Sequence, residues 1–184
     1  MSRKYVDDYR LDNMLGSNGK LKTVPVYCGD WYEFEADAAT VAQARRRYVV
    51  LTVVAIVSLL YLLIFTNHIG HVWYVALPVA LSTIFLFFTA LSTWRLWTAK
   101  GPVTREHKDK IHDRMATMSM FTTVLAGLCF AGCVYHLIAV EFRLRSLVFT
   151  LFAALFTASA LLMFLGRGVL RMKLSDKPRR TIPE

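Results

Sequence analysis

The chain has 184 residues, 55% of them hydrophobic, and its 22 Lys and Arg against 13 Asp and Glu give a formal net charge of +9 and a pI near 9.7. A pI this high raises nucleic-acid binding as one reading, which the placement of the charges must decide. The basic residues border apolar runs instead of forming one patch, so they are read as attracted to anionic inner-leaflet lipid, and nucleic acid is excluded as a partner.

Residues 1–47 read as a cytoplasmic N-terminal segment. Its first 30 residues include Arg3, Lys4, Asp7, Asp8 and Asp12 and hold no continuous apolar core. The first span is therefore expected to act as its own insertion signal. Gly-Ser-Asn-Gly at 16–19 marks a loop. After it, LKTVPVY and WYEFE are β-like runs joined at Cys28-Gly29-Asp30, which predicts a small β-hairpin over 21–35. Tyr27, Trp31, Tyr32 and Phe34 give this stretch a large aromatic load, and an isolated two-stranded hairpin is only marginally stable in water. It must pack on something. The partner is either the protein's own helix ends and the lipid headgroups, or another subunit whose basic surface meets Asp30, Glu33, Glu35 and Asp37. Asp37 is placed to cap a helix over 38–47 that runs directly into the first span.

Four apolar runs follow, at about 48–66, 72–94, 116–140 and 147–165, each free of Asp, Glu, Lys and Arg. Their lengths of 19, 23, 25 and 19 residues suit the ~20 needed to cross ~30 Å of hydrocarbon. They predict an all-α membrane protein, with four transmembrane helices in an antiparallel bundle over 48–166. Eight Lys and Arg precede the first span, six lie between Arg95 and Arg114, and six follow from Arg167 onward; only Arg143 and Arg145 lie elsewhere. Both termini, the loop 95–115 and the basic tail 167–184 are thus expected on the cytoplasmic side, with 67–71 and 141–146 as short external turns. Tyr48, Trp94 and Trp97 suit the inner interface, and Trp73, Tyr74 and Tyr135 the outer one. Pro78, seven residues into the second span, removes a backbone hydrogen bond and bends the helix there. The polar stretch 104–114 is rich in helix formers and pairs Glu106 with Lys110 at i, i+4, so the third helix is expected to begin near Val103 and project two or three turns beyond the bilayer.

The third span holds the one cluster with chemical potential. Cys129, Cys133 and His136 fall at i, i+4 and i+7, within about 60° around a helix. With His68 and His71 beyond the first span they offer five ligands of the kind that suits a zinc or copper ion. The spacing also fits small buried hydrophobes and an interfacial histidine, and no cofactor is predicted from it. On the opposite face Gly127 and Ala131 form a small-xxx-small step that Ala154 and Ala158 repeat on the fourth span. Joined by a six-residue turn, the two helices are expected to pack tightly through these faces, which can equally meet a partner's helix.

Function is read by elimination. The spans carry no ionisable path except His136, and their Ser and Thr can bond to their own helix backbones. No catalytic motif occurs, so an enzyme is not expected. The remaining expectation is a small accessory, scaffolding or regulatory subunit of a larger membrane assembly, binding other membrane subunits or itself. The alternative is a transport component for a small solute or metal ion, in a homo-oligomer. Compactness and short external turns suggest a bacterial protein of the inner or plasma membrane.

Overall fold

A computed structural model describes residues 3–15, 21–65, 71–99, 101–139 and 143–175. Within them lie four helices long and apolar enough to cross a membrane: α1 (Ala38–Ile64), α2 (Trp73–Thr98), α3 (Arg105–Ala139) and α4 (Leu144–Leu165). The first begins ten residues before the apolar run because Asp37 caps it, its carboxylate accepting from the Thr40 backbone N–H at 3.1 Å and from the Thr40 hydroxyl. In α2, Pro78 lacks the N–H that would bond the Tyr74 carbonyl, while the Ser82 hydroxyl donates to the Pro78 carbonyl at 2.6 Å. The polar start of α3 is helical from Arg105, capped by Thr104, and passes through a π-helical turn at Asp109–Asp113 before its apolar length begins at Arg114. The fourth helix starts at Leu144, so the turn expected over 141–146 is shorter, and Ser146 is buried.

Each helix packs on its neighbours in the chain, and α1 also packs on α4, which closes the ring. The outside of the ring is apolar, and its interior sets hydroxyls among apolar side chains such as Leu59, Leu86, Phe149 and Phe156. Ser58, Ser82, Thr89, Thr93, Ser119, Thr122 and Ser159 are all buried, whereas Val50, Leu60, Leu77, Ile84, Phe87, Leu128 and Leu151 face outward. Such a pattern suits helices in an apolar surround, where packing and hydrogen bonds rather than hydrophobicity hold helices together. Several hydroxyls close on their own helix, as Thr89 does on the Phe85 carbonyl at 2.9 Å and Thr122 on the Met118 carbonyl at 2.8 Å. Hydrogen bonds also cross between helices, one of them from the Thr52 hydroxyl to Met163 Sδ at 3.5 Å. The Tyr48 hydroxyl donates to the Met163 carbonyl at 2.7 Å, the Thr52 and Thr93 hydroxyls lie 3.1 Å apart, and Thr157 donates to the Ala126 carbonyl at 2.9 Å.

The strands pair differently from the expected hairpin over 21–35. Strand β2 (Leu21–Tyr27) pairs antiparallel with β1 (Tyr9–Leu15), from Tyr9↔Tyr27 to Leu15↔Leu21. Strand β3 (Trp31–Phe34) instead lies between β4 (Val103–Thr104) and β5 (Met172–Leu174) in a second sheet of order β4-β3-β5. Cys28–Asp30 is a crossover and not a hairpin turn. The Cys28 N–H extends the first ladder by donating to the Asp8 carbonyl at 2.8 Å, and the Tyr27 hydroxyl bridges the crossover to the Asp30 carbonyl at 2.8 Å. The Gly-Ser-Asn-Gly loop, expected to separate the leading segment from a hairpin, falls on residues 16–19, outside the described residues but between the two paired strands.

Candidate functional site

The second sheet ties the segment before α1, the loop between α2 and α3 and the chain after α4 together at one end of the bundle. Its ladder continues past the strands: Glu35 donates from its N–H to the Arg171 carbonyl at 3.0 Å, and Ser175 to the Trp31 carbonyl at 2.8 Å. At the same end the Tyr5 hydroxyl donates to Asp109 in the π-helical turn at 2.8 Å, and the Arg105 N–H donates to the Tyr27 hydroxyl at 3.0 Å.

The aromatic residues singled out by sequence are all half-buried here, against their own chain. Tyr9, Tyr27 and Trp31 form an edge-to-face series with ring centroids 5.2 and 5.3 Å apart. Burial raises the Tyr27 hydroxyl above its ordinary value, against the Arg105 N–H bond that lowers it. Lys108 Nζ lies 4.2 Å from the Tyr32 ring centroid, and the Arg45 guanidinium carbon 5.6 Å from that of Phe34, both within cation–π range. Two more basic groups follow the pattern, Arg114 over Phe88 at 5.9 Å and Arg167 over Phe164 at 4.1 Å. Glu106 and Lys110 form the expected ion pair. Phe34 also packs on the bundle core.

Beside Phe34 the surface opens into a cleft of about 280 Å³, lined by Glu33, Phe34, Ala38, Val41, Arg45 and Pro102 among others. Arg45 was visible in the sequence only as one of three consecutive arginines. What distinguishes it is its place in the cleft, where its Nε is buried without a hydrogen-bond partner among the described residues. Asp37, at the mouth of α1, is held below its ordinary value by the Thr40 hydroxyl and then by the Thr40 N–H.

The cluster on the third span is gathered only in part. Cys129 and Cys133 are completely buried free thiols, and His136 is 8% exposed with Nδ1 lacking a hydrogen-bond partner among the described residues. His71 is exposed, and His68 lies outside the described residues. Among the described residues no three His, Cys, Asp or Glu side chains are placed to hold one metal ion.

The small-residue faces are turned away from the contact expected of them. A Cβ at Gly127 would meet nothing within 4 Å, Ala131 and Ala158 are exposed, and Ala154 is half-buried. The α3–α4 contact runs instead through buried Ala126 and Ala153, with Thr157 bonded across it. One helical position carries both faces apart: Ala126 points inward and Gly127, 100° around the helix, points out. The close approach involving α3 is at Gly132, where a Cβ would lie 3.0 Å from both Tyr74 Cδ2 and Val75 Cγ2 on α2. Sequence reasoning passed over Gly132 because its small neighbours are not spaced by four.

No family model, no curated protein and no solved structure matches this chain.

Proposed function

We propose that the protein is an accessory or scaffolding subunit of a larger membrane assembly, with both termini and the small sheets in the cytoplasm of a bacterial inner or plasma membrane. The observation that carries this reading is the outward face of Gly127 and Ala131. It is a small-residue step of the kind that lets helix backbones approach closely, and the chain's own fourth helix does not use it. Ala158 is exposed on the neighbouring helix in the same way. The buried hydroxyls argue in the same direction, since most close on their own helices or tie two helices together and give no ionisable relay for coupled transport. The distribution of Lys and Arg supports the cytoplasmic placement of the sheet-bearing end.

The test is extraction from the native membrane in mild detergent, followed by mass spectrometry of the intact complex. A stoichiometric larger partner, lost when Gly127 is replaced by Leu, is expected. Recovery of only the 21.0 kDa chain or a symmetric multiple of it overturns the subunit reading. Solute or metal flux by the purified protein in liposomes would then establish the transport alternative.

A further inference from the structure

We infer that the cleft beside the first turns of α1 is a phosphate site, in which the Arg45 guanidinium meets the phosphate of a membrane phospholipid. This goes beyond the subunit reading and does not depend on it.

A cation without a counter-ion, set in a walled cleft, carries the inference. Among the described residues Arg45 forms no ion pair, and its Nε is buried without a hydrogen-bond partner. The Phe34 ring holds the guanidinium carbon 5.6 Å from its centroid. A ring face attracts the charge but leaves the planar fork of N–H donors to find acceptors elsewhere. Two oxygens of one phosphate match that fork, and the charge on both sides makes the bonds strong ones. Arg46 and Arg47 carry the same charge but are exposed, and water satisfies them. Glu33 lines the same cleft without an ion pair to Arg45; it has an interaction of its own in the chain, and the inference asks nothing of it.

Size and position indicate the source of the phosphate. At about 280 Å³ the cleft lies just under the ~300 Å³ at which small-molecule sites begin, enough for a phosphate and its ester substituents but too small for a whole lipid. Ala38, Val41 and Pro102 give it apolar walls, which strengthen a charged contact inside. The first helix is continuous from Ala38 to Ile64, so Arg45, three residues before the apolar run, lies about 4.5 Å along the axis from its start. That is within a headgroup layer of roughly 5–8 Å per leaflet, where lipid phosphates are always at hand. A soluble phosphoester has the same chemistry without that proximity.

Native mass spectrometry of the full chain in detergent, titrated with equal amounts of phosphatidylglycerol, phosphatidylcholine and a phosphate-free galactolipid of matched acyl chains, reads the retained lipid directly. Both phospholipids are expected to exceed the galactolipid by about tenfold, the effect of one charge-assisted hydrogen bond. Arg45→Gln should abolish that excess, whereas Arg46→Gln, which deletes the same charge from an exposed neighbour, should preserve it. Equal losses in the two variants would assign the binding to diffuse basic charge and overturn the inference. Should Arg45→Gln fail to fold, the wild-type chain decides, since phosphatidylcholine has the phosphate without net charge: its retention at the level of the galactolipid overturns the site. Soluble glycerophosphate displacing the phospholipids at equal concentration would overturn the lipid source.

Discussion

The four-helix bundle and the sheet at its end solve the same problem, the placement of backbone and side-chain polar groups, by opposite means. In the bundle each helix satisfies its own backbone, and a few hydroxyls such as Tyr48 and Thr157 reach across to a neighbour. In the end sheet, Trp31–Phe34 is satisfied by Val103–Thr104 and Met172–Leu174, about 70 and 140 positions away in the chain. The bundle can therefore be weakened one contact at a time. The sheet depends on three segments meeting at once, and it fixes the same end of all four helices.

The largest effect that would break this comparison is expected where two helices touch most closely. Gly132→Leu drives a side chain into Tyr74 and Val75, and overpacking of that kind costs about 1–3 kcal/mol. Thermal unfolding in detergent should show a clear drop for Gly132→Leu and little change for Gly127→Leu, whose side chain enters open space. A drop for both would mean that the bundle uses the Gly127 face after all.

Next in size is the crossing bond from Tyr48. Tyr48→Phe leaves the ring in place and removes only the hydroxyl that bonds the Met163 carbonyl. Crossing hydrogen bonds in an apolar surround average about 0.6 kcal/mol, with a maximum near 1.7. The same unfolding measurement should show a loss in that range. A loss of the size seen for Gly132→Leu would show that the hydroxyl organises more of the α1–α4 contact than this one bond.

The end sheet sharpens the contrast through exchange instead of melting. Truncation after Arg171 removes β5 and frees one edge of β3. Amide hydrogen exchange over Trp31–Phe34 should then accelerate, while the unfolding midpoint of the bundle moves little. Equal destabilisation of both would mean that sheet and bundle form one cooperative unit.

How much of this was legible in the sequence follows the same division. The four helices were, since twenty apolar residues without charge leave few alternatives, and the Asp37 cap and the polar start of α3 were visible as local patterns. The sheet was not. Its strands are two to four residues long, and what pairs Trp31–Phe34 with Met172–Leu174 is the ring closure that brings α4 beside α1, which no local pattern encodes. The leading strand Tyr9–Leu15 was hidden by Asp12-Asn13, residues that disfavour strands, although Asn13 is held there by the Thr23 hydroxyl at 2.8 Å. In the candidate site the aromatic residues were legible and their cations were not. Spacing cannot tell which of Arg45, Arg46 and Arg47 turns into a cleft. The small-residue steps were found, but their direction depended on which face α4 takes.

The smallest effect expected is at Asp37, where the local and the long-range parts of the fold meet. The Thr40 hydroxyl and N–H hold its carboxyl below the ordinary value of 3.8, because both donate to the ionised form. A carboxyl whose folded value is depressed contributes stability that is complete above the unfolded value. That contribution is lost as the pH falls from there through the lower folded value. At neutral pH the cap is therefore fully engaged, and acidification below about 4 should loosen the first turn of α1 before the rest of the helix. Amide exchange at Thr40 and Val41 reads this directly, since the Val41 N–H bonds the Asp37 carbonyl and the Thr40 N–H its carboxylate. In Asp37→Asn the neutral amide still accepts from Thr40, so the first turn should persist while its acid sensitivity disappears. Acid sensitivity retained in Asp37→Asn would mean that the Asp37 cap does not carry the response and that the start of α1 is held by something other than this carboxylate.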